Sequence, residues 1–141
     1  MSRVYWDTMI FVYVLESHPE FGDPVLQAYK NLIQRGDTIC TSVFTLGEIL
    51  VKPKAAGDIG VQNAIRDFML GSEIELLPFD AVTADRYSSV RAGTKLKAAD
   101  AIHLATAVQA RVNLFMTNDQ EIRKQVFPDL PLMVGLDGQI F

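Results

Sequence analysis

Cysteine is almost missing from this sequence, with Cys40 the only one among 141 residues. A lone thiol excludes an internal disulfide framework and any zinc site built from several cysteines. With no signal-like start apparent, it also points to a reducing, cytoplasmic setting. Within "TICTS", Cys40 is expected to be a small buried hydrophobe. Long apolar runs are missing too. The longest, "MIFVYVL" from Met9 to Leu15, is too short to span a bilayer and no small-residue cleavage site follows it, so it reads as core and no membrane partner is expected. An excess of positive charge is equally absent: 13 basic and 17 acidic side chains leave a net charge of −4, unlike the basic footprint of a nonspecific nucleic-acid binder. That balance still leaves room for a nucleic-acid substrate. Acids gathered in one metal pocket would dominate the sum, while Lys52, Lys54, Arg91, Lys95 and Lys97 line other surfaces.

What is present fits one compact domain over residues 1–141: 49% of the residues are hydrophobic, and no stretch resembles a linker or a repeat. Short apolar runs alternate with helical patterns throughout, which argues for an α/β fold with a helix-covered parallel sheet. The expected strands are Arg3 to Trp6, Thr38 to Thr41, Glu73 to Leu77, Asn113 to Thr117 and Pro131 to Val134. Helices are expected near Thr8 to Ser17, Asp23 to Arg35, Val43 to Val51, Gly60 to Leu70, Ala81 to Ala92 and Lys97 to Arg111. Gly36, Pro53 and Gly57 supply helix stops.

Four acids stand out by position. Asp7 ends the strand "VYW" and opens a helix, at the strand end where open α/β sheets place their ligands. Glu48 sits in "CTSVFTLGEIL", on a mostly apolar face of a helix that Ser42 can cap. Asp100 opens the alanine-rich helix "KLKAADAIHLATAVQA", whose arc of Ala98, Ala101, Ile102, Leu104, Ala105 and Val108 suits burial. The acid lies only about 40° outside Leu104. Asp119 follows the strand "LFMT", beside the polar groups of Thr117 and Asn118. Each has an ordinary structural role open to it: Asp7 as an N-cap, Asp100 as a helix-start acid favoured by the macrodipole, Glu48 as a solvent-facing side chain, "TND" as a turn. Both histidines read as peripheral, His18 in a loop and His103 at the surface or rim, about 60° from Asp100 on the side away from Leu104.

Together the four acids suggest more, because a parallel sheet can bring them to one place. Two carboxylates about 4 Å apart repel by roughly 4 kcal/mol at an effective dielectric near 20. A hard divalent cation offsets that repulsion, and an oxygen-rich pocket without a Cys or His cluster suits Mg²⁺ or Mn²⁺. Metal-assisted phosphodiester hydrolysis is the natural chemistry of such a pocket.

The stretches "VYWDTMIFVYVLE", "TSVFTLGEIL", "LKAADAIHLATA" and "LFMTND" resemble, in order, spacing and context, the PIN-domain ribonucleases, and more narrowly the VapC-type toxins of toxin–antitoxin pairs. The resemblance covers nearly the whole chain. It implies a three-layer α/β/α sandwich around a parallel central sheet and an Mg²⁺- or Mn²⁺-dependent endoribonuclease. It further implies an RNA substrate, a cognate antitoxin that blocks the active site, and a homodimer. The family's acids match Asp7, Glu48, Asp100 and Asp119. Asp7, Asp100 and Asp119 would be metal ligands, and Glu48 would complete the shell through water or position the attacking water. Thr117, Asn118 and Glu121 would support them, and Lys95 and Lys97 are candidates to hold the RNA backbone. Two positions depart from the pattern: Met9 stands where many relatives carry a small polar residue, and Glu121 where an extra Asp is common.

Other uses of an Asp after the first strand fit less well. A phosphatase of the kind that needs a second Asp two residues on has Met9 there instead, and a receiver-type domain expects a phosphoacceptor where Leu77 and Pro78 end the third strand. A binding module with the fold but no turnover, such as an antitoxin decoy, is the alternative from a different class. The presence of all four acids argues against it.

Overall fold

The structure, a computed structural model, describes residues 1–126 and 129–136. Five strands, β1 (Arg3–Trp6), β2 (Thr38–Ser42), β3 (Ile74–Leu77), β4 (Leu114–Met116) and β5 (Leu132–Val134), form one sheet in which every neighbouring pair is parallel. Their order is β3-β2-β1-β4-β5. The chain therefore builds outward from β1 in one direction, then crosses back to lay β4 and β5 on the other side. That reversal falls between β1 and β4, and the crevice it leaves at the strands' carboxyl ends is where such sheets bind ligands.

Period-two alternation sends successive side chains to opposite faces, and both faces are buried. Val4, Trp6, Ile39 and Met116 join a core with Ile10, Phe11, Val25, Leu32, Ile49, Ile65 and Met69. These come from α1 (Thr8–Leu15), α2 (Gly22–Arg35), α3 (Val43–Ala55) and α4 (Ile59–Met69). Tyr5, Cys40 and Phe115 join a second core with Val90, Ala101, Leu104, Ala105 and Ile122, from α5 (Ala81–Gly93), α6 (Ala98–Ala110) and α7 (Gln120–Arg123). Two cores on one sheet make the expected α/β/α sandwich. Cys40 is the buried hydrophobe anticipated, and burial pushes its thiol up to about 12.

Three details differ from expectation. Pro53 does not stop α3, which runs on to Ala55. So near the helix end a proline forfeits a single backbone hydrogen bond, and the left-handed Gly57 at φ +67° follows the helix instead. The short α7 was not anticipated, because one turn carries no periodicity. Finally, α6 is buried almost all round, from Ala101 and His103 through Val108, so its arc of burial is broader than period 3.6 suggests. Ala98 and Ile102, placed on that arc, are exposed and half-buried respectively. Among the described residues, no helix is long and apolar enough to cross a membrane.

Candidate active site

Asp7 leaves the sheet at the end of β1, with its amide still donating to the Met116 carbonyl at 3.3 Å. Its Oδ1 accepts from the Ile10 amide at 3.3 Å and so caps α1. The other oxygen, Oδ2, accepts a short hydrogen bond from the Thr117 hydroxyl. The capping role and a place in the cavity are therefore compatible in one residue. Asp119 does the same after β4. Its Oδ1 caps α7 by accepting from the Glu121 amide at 2.8 Å, while its own amide donates to Thr117 Oγ1 at 3.0 Å. Thr117 is fully buried beneath both acids and links them.

Glu48 reaches the site from α3, whose start is fixed by Ser42 accepting from the Phe44 amide at 3.0 Å. Asp100 stands in the first turn of α6. The four acids thus arrive from four separate segments and line one open cavity of about 270 Å³, together with Thr8, Met9, Tyr13, Ala99, His103 and Asn118.

The electrostatics of the cavity are uneven. Burial raises the Asp7 carboxyl to about 6, against the opposing Thr117 hydrogen bond. Burial and then the charge of Asp119 raise Asp100. Glu48 goes the other way: burial pushes it up, but hydrogen bonds from His103 and Thr8 outweigh that and hold it below the ordinary glutamate value. Both donors converge on one carboxylate oxygen. Thr8 donates a short bond to Oε1, and His103 Nε2 lies 2.9 Å from the same atom.

The remaining expected positions divide. Asn118 lines the cavity. Glu121 is exposed and paired with Lys124 at 3.0 Å, outside the lining. Lys95 and Lys97 are exposed in the segment that leads into α6 and do not line the cavity, although the charge of Lys97 acts on Asp100. His18 sits in a loop as expected, with its Nδ1 accepting from the Glu20 and Phe21 amides. His103 corrects the sequence reading. It is buried, 3% exposed, and hydrogen-bonded to Tyr5, Thr8 and Glu48. The rim position followed from treating α6 as amphipathic, and a helix enclosed on nearly all sides has no rim. Tyr13, read with its apolar run as core, lines the cavity as well; Thr8 went unremarked, and its place beside Asp7 was the available clue.

Among the described residues, no three His, Cys, Asp or Glu side chains form a closed metal-holding group. The donor chemistry nevertheless fits a hard divalent cation. Every acid in the cavity offers oxygen, two of them are pushed toward protonation by burial and mutual charge, and Mg²⁺ ordinarily keeps several waters in place of an all-protein cage.

Comparison with known proteins agrees with this architecture. No curated protein sequence matches the chain. Among solved structures, VapBC2 from Rickettsia felis, bound to a DNA fragment from its promoter, is similar at 20% identity and a TM-score of 0.75, over 94% of this chain and 98% of that one. VapC20 of Mycobacterium tuberculosis, described as a toxin that cleaves the sarcin-ricin loop, is similar at 13% identity and a TM-score of 0.69, over 91% and 98%. A toxin–antitoxin complex from Klebsiella pneumoniae shows 24% identity and a TM-score of 0.66, over 94% and 97%. At such identities these likenesses speak for the fold. The PIN-domain family model matches residues 4–127, a span that includes all four acids, and this chain therefore belongs to the PIN-domain family.

Proposed function

We propose that this protein is a divalent-metal-dependent endoribonuclease, and the toxin of a toxin–antitoxin pair. One observation carries the reading. Four carboxylates from distant segments line a single cavity at the sheet's switch point, where burial and mutual charge hold Asp7 and Asp100 above the usual carboxylate range. Such a cavity is strained alone and relieved by a cation.

Asp7, Asp100 and Asp119 would hold the ion. When bound, a hard divalent cation stabilises charge building on a phosphoryl group and activates water for in-line attack. The chain's own residues supply the rest. Glu48 is kept ionised by its two donors, and no hydrogen bond from the described residues reaches its Oε2, which leaves that oxygen to accept a proton from the attacking water. Thr117 fixes Asp7 through Oδ2, and Asn118 offers amide donors to a phosphate. Outside the cavity, Lys95 and Lys97 hold the flanking RNA backbone, since phosphate contacts position a strand without reading it.

The partner reading rests on the structural relatives, several of which are toxin–antitoxin complexes. It also draws on an apolar cavity lined by Phe11, Val14, Leu15, Leu26, Tyr29 and Phe68, suited to an apolar helix face of an antitoxin. A homodimer and a cytoplasmic location complete the proposal.

The decisive experiment is expression toxicity with and without Asp100→Ala, paired with RNA cleavage by purified protein in Mn²⁺ and in chelator. Toxicity that Asp100→Ala relieves, with cleavage that chelator stops, is the expected result. Intact RNA in Mn²⁺, with an antitoxin still bound, would instead mark a PIN-fold binding module without turnover.

A further inference from the structure

We infer that His103 is a positioning residue. With Tyr5 behind it, it sets which oxygen of Glu48 faces the cavity, by donating from Nε2. This rests on the nuclease reading only for its effect on rate.

An ionised carboxylate, as Glu48 is when held below its ordinary value, only accepts hydrogen bonds. His103 Nε2, 2.9 Å from Glu48 Oε1, therefore donates to it. Behind the ring, Nδ1 lies 2.7 Å from Tyr5 Oη, which also accepts from the Ser42 amide at 3.2 Å.

The Nε2 atom faces Glu48 Oε1 at 2.9 Å, with Thr8 Oγ1 at 3.0 Å beside it. Thr8 directs its own hydroxyl to the same Oε1. Two donors on one oxygen pin the carboxylate and turn Oε2 toward the open side. The ring itself is clamped. Tyr5 stacks on Phe115 at 4.9 Å between centroids and meets His103 edge-on at 5.9 Å, while Phe44 lies 5.8 Å from the imidazole. Orientation set in the fully buried residue Tyr5 of β1 is thereby carried to an acid at the cavity wall. The supporting partners of a reacting carboxylate characteristically act in this way.

Two measurements on the purified full chain test this. Long-range ¹H–¹⁵N NMR of the His103 ring should show Nε2 protonated, whether or not the protein cuts RNA. In single-turnover cleavage with saturating Mn²⁺, His103→Leu should slow the chemical step by about 10- to 100-fold with KM within about twofold of the parent. His103→Gln, which keeps an N–H toward Glu48, should recover much of the loss. In a Glu48→Gln background, His103→Leu should then add nothing, because its effect passes through Glu48. Tyr5→Phe, which only removes the hydroxyl, should give a smaller loss in the same parameter and serves if His103→Leu fails to fold. A bare Nε2, a His103→Leu rate equal to the parent's, or additive losses in the two backgrounds would overturn the inference. A parent that cuts no RNA would sink the nuclease reading, and the NMR result would still decide whether Nε2 donates.

Discussion

The two walls of the cavity are built on opposite physical terms. On one side Glu48 is satisfied in advance: donors from His103 and Thr8 stabilise its charge and hold it below the usual glutamate range. On the other, Asp100 has no hydrogen-bond donor among the described residues, and burial together with the charge of Asp119 drives it upward. Asp7, at the floor, is raised further still, to about 6. One wall is pre-organised by the protein; on the other, burial and the charge of Asp119 work against ionisation. An ordered carboxylate is suited to handling a proton or a water, and a group of partly desolvated, mutually repelling carboxylates to holding a cation.

This contrast breaks most directly on the aspartate side. Asp119→Asn or Asp7→Asn is expected to lower the cleavage rate by about 100- to 1,000-fold, the scale of losing one pre-organised charge partner at a reacting phosphate. Circular dichroism should show the fold intact, since no core volume changes. Rates near the parent's would erase the distinction between the walls.

The same Asp7→Asn change should raise stability when metal is chelated. The carboxyl's folded value of about 6 lies above its ordinary 3.8, so the native state holds the proton more tightly than the unfolded chain. The resulting destabilisation is absent below pH 3.8, grows through the window from 3.8 to about 6, and is complete above it. At pH 8 removing that charge is expected to stabilise the metal-free protein by about 3 kcal/mol. Denaturant melts at pH 3.5 and pH 8 should show the gap only at the higher pH.

Adding Mn²⁺ sharpens the comparison further. At 100 times its Kd the ion should stabilise the parent by about 2.7 kcal/mol. Asp100→Asn combined with Asp119→Asn should abolish that gain, whereas Glu48→Gln should keep most of it. Calorimetry that finds Glu48 as important as the aspartates for binding would merge the two walls into one. Smaller again, Thr8→Val should slow cleavage by about tenfold without weakening Mn²⁺ binding. Smallest of all, Lys95→Ala with Lys97→Ala should raise KM by a few-fold and reduce its salt dependence, as phosphate contacts do.

The Asp7 and Asp119 junctions were legible in the sequence because each acid follows a short apolar strand and precedes a helix start, a place defined by local pattern alone. Glu48 was legible as an acid on an apolar face. His103 was not, and the reason is the burial of α6. Angular position on a helix predicts exposure only where one face meets water, and α5, the sheet and α3 leave α6 almost none. Its real signal lay in a pairing across 98 residues with Tyr5, which no local period reveals. Pro53 misled because a proline disfavours a helix without forbidding it: it removes one hydrogen bond and crowds the carbonyl a turn back, and α3 runs only two residues past it, to Ala55.

The strand order has one further implication. Because β4 slots in beside β1 and not beside β3, a chain that has emerged only as far as α5 carries β1 with one naked edge and lacks Asp119 altogether. The last acid of the cavity and the strand that seats it thus arrive together, late in synthesis. The first hundred residues give neither a complete sheet nor a complete cavity.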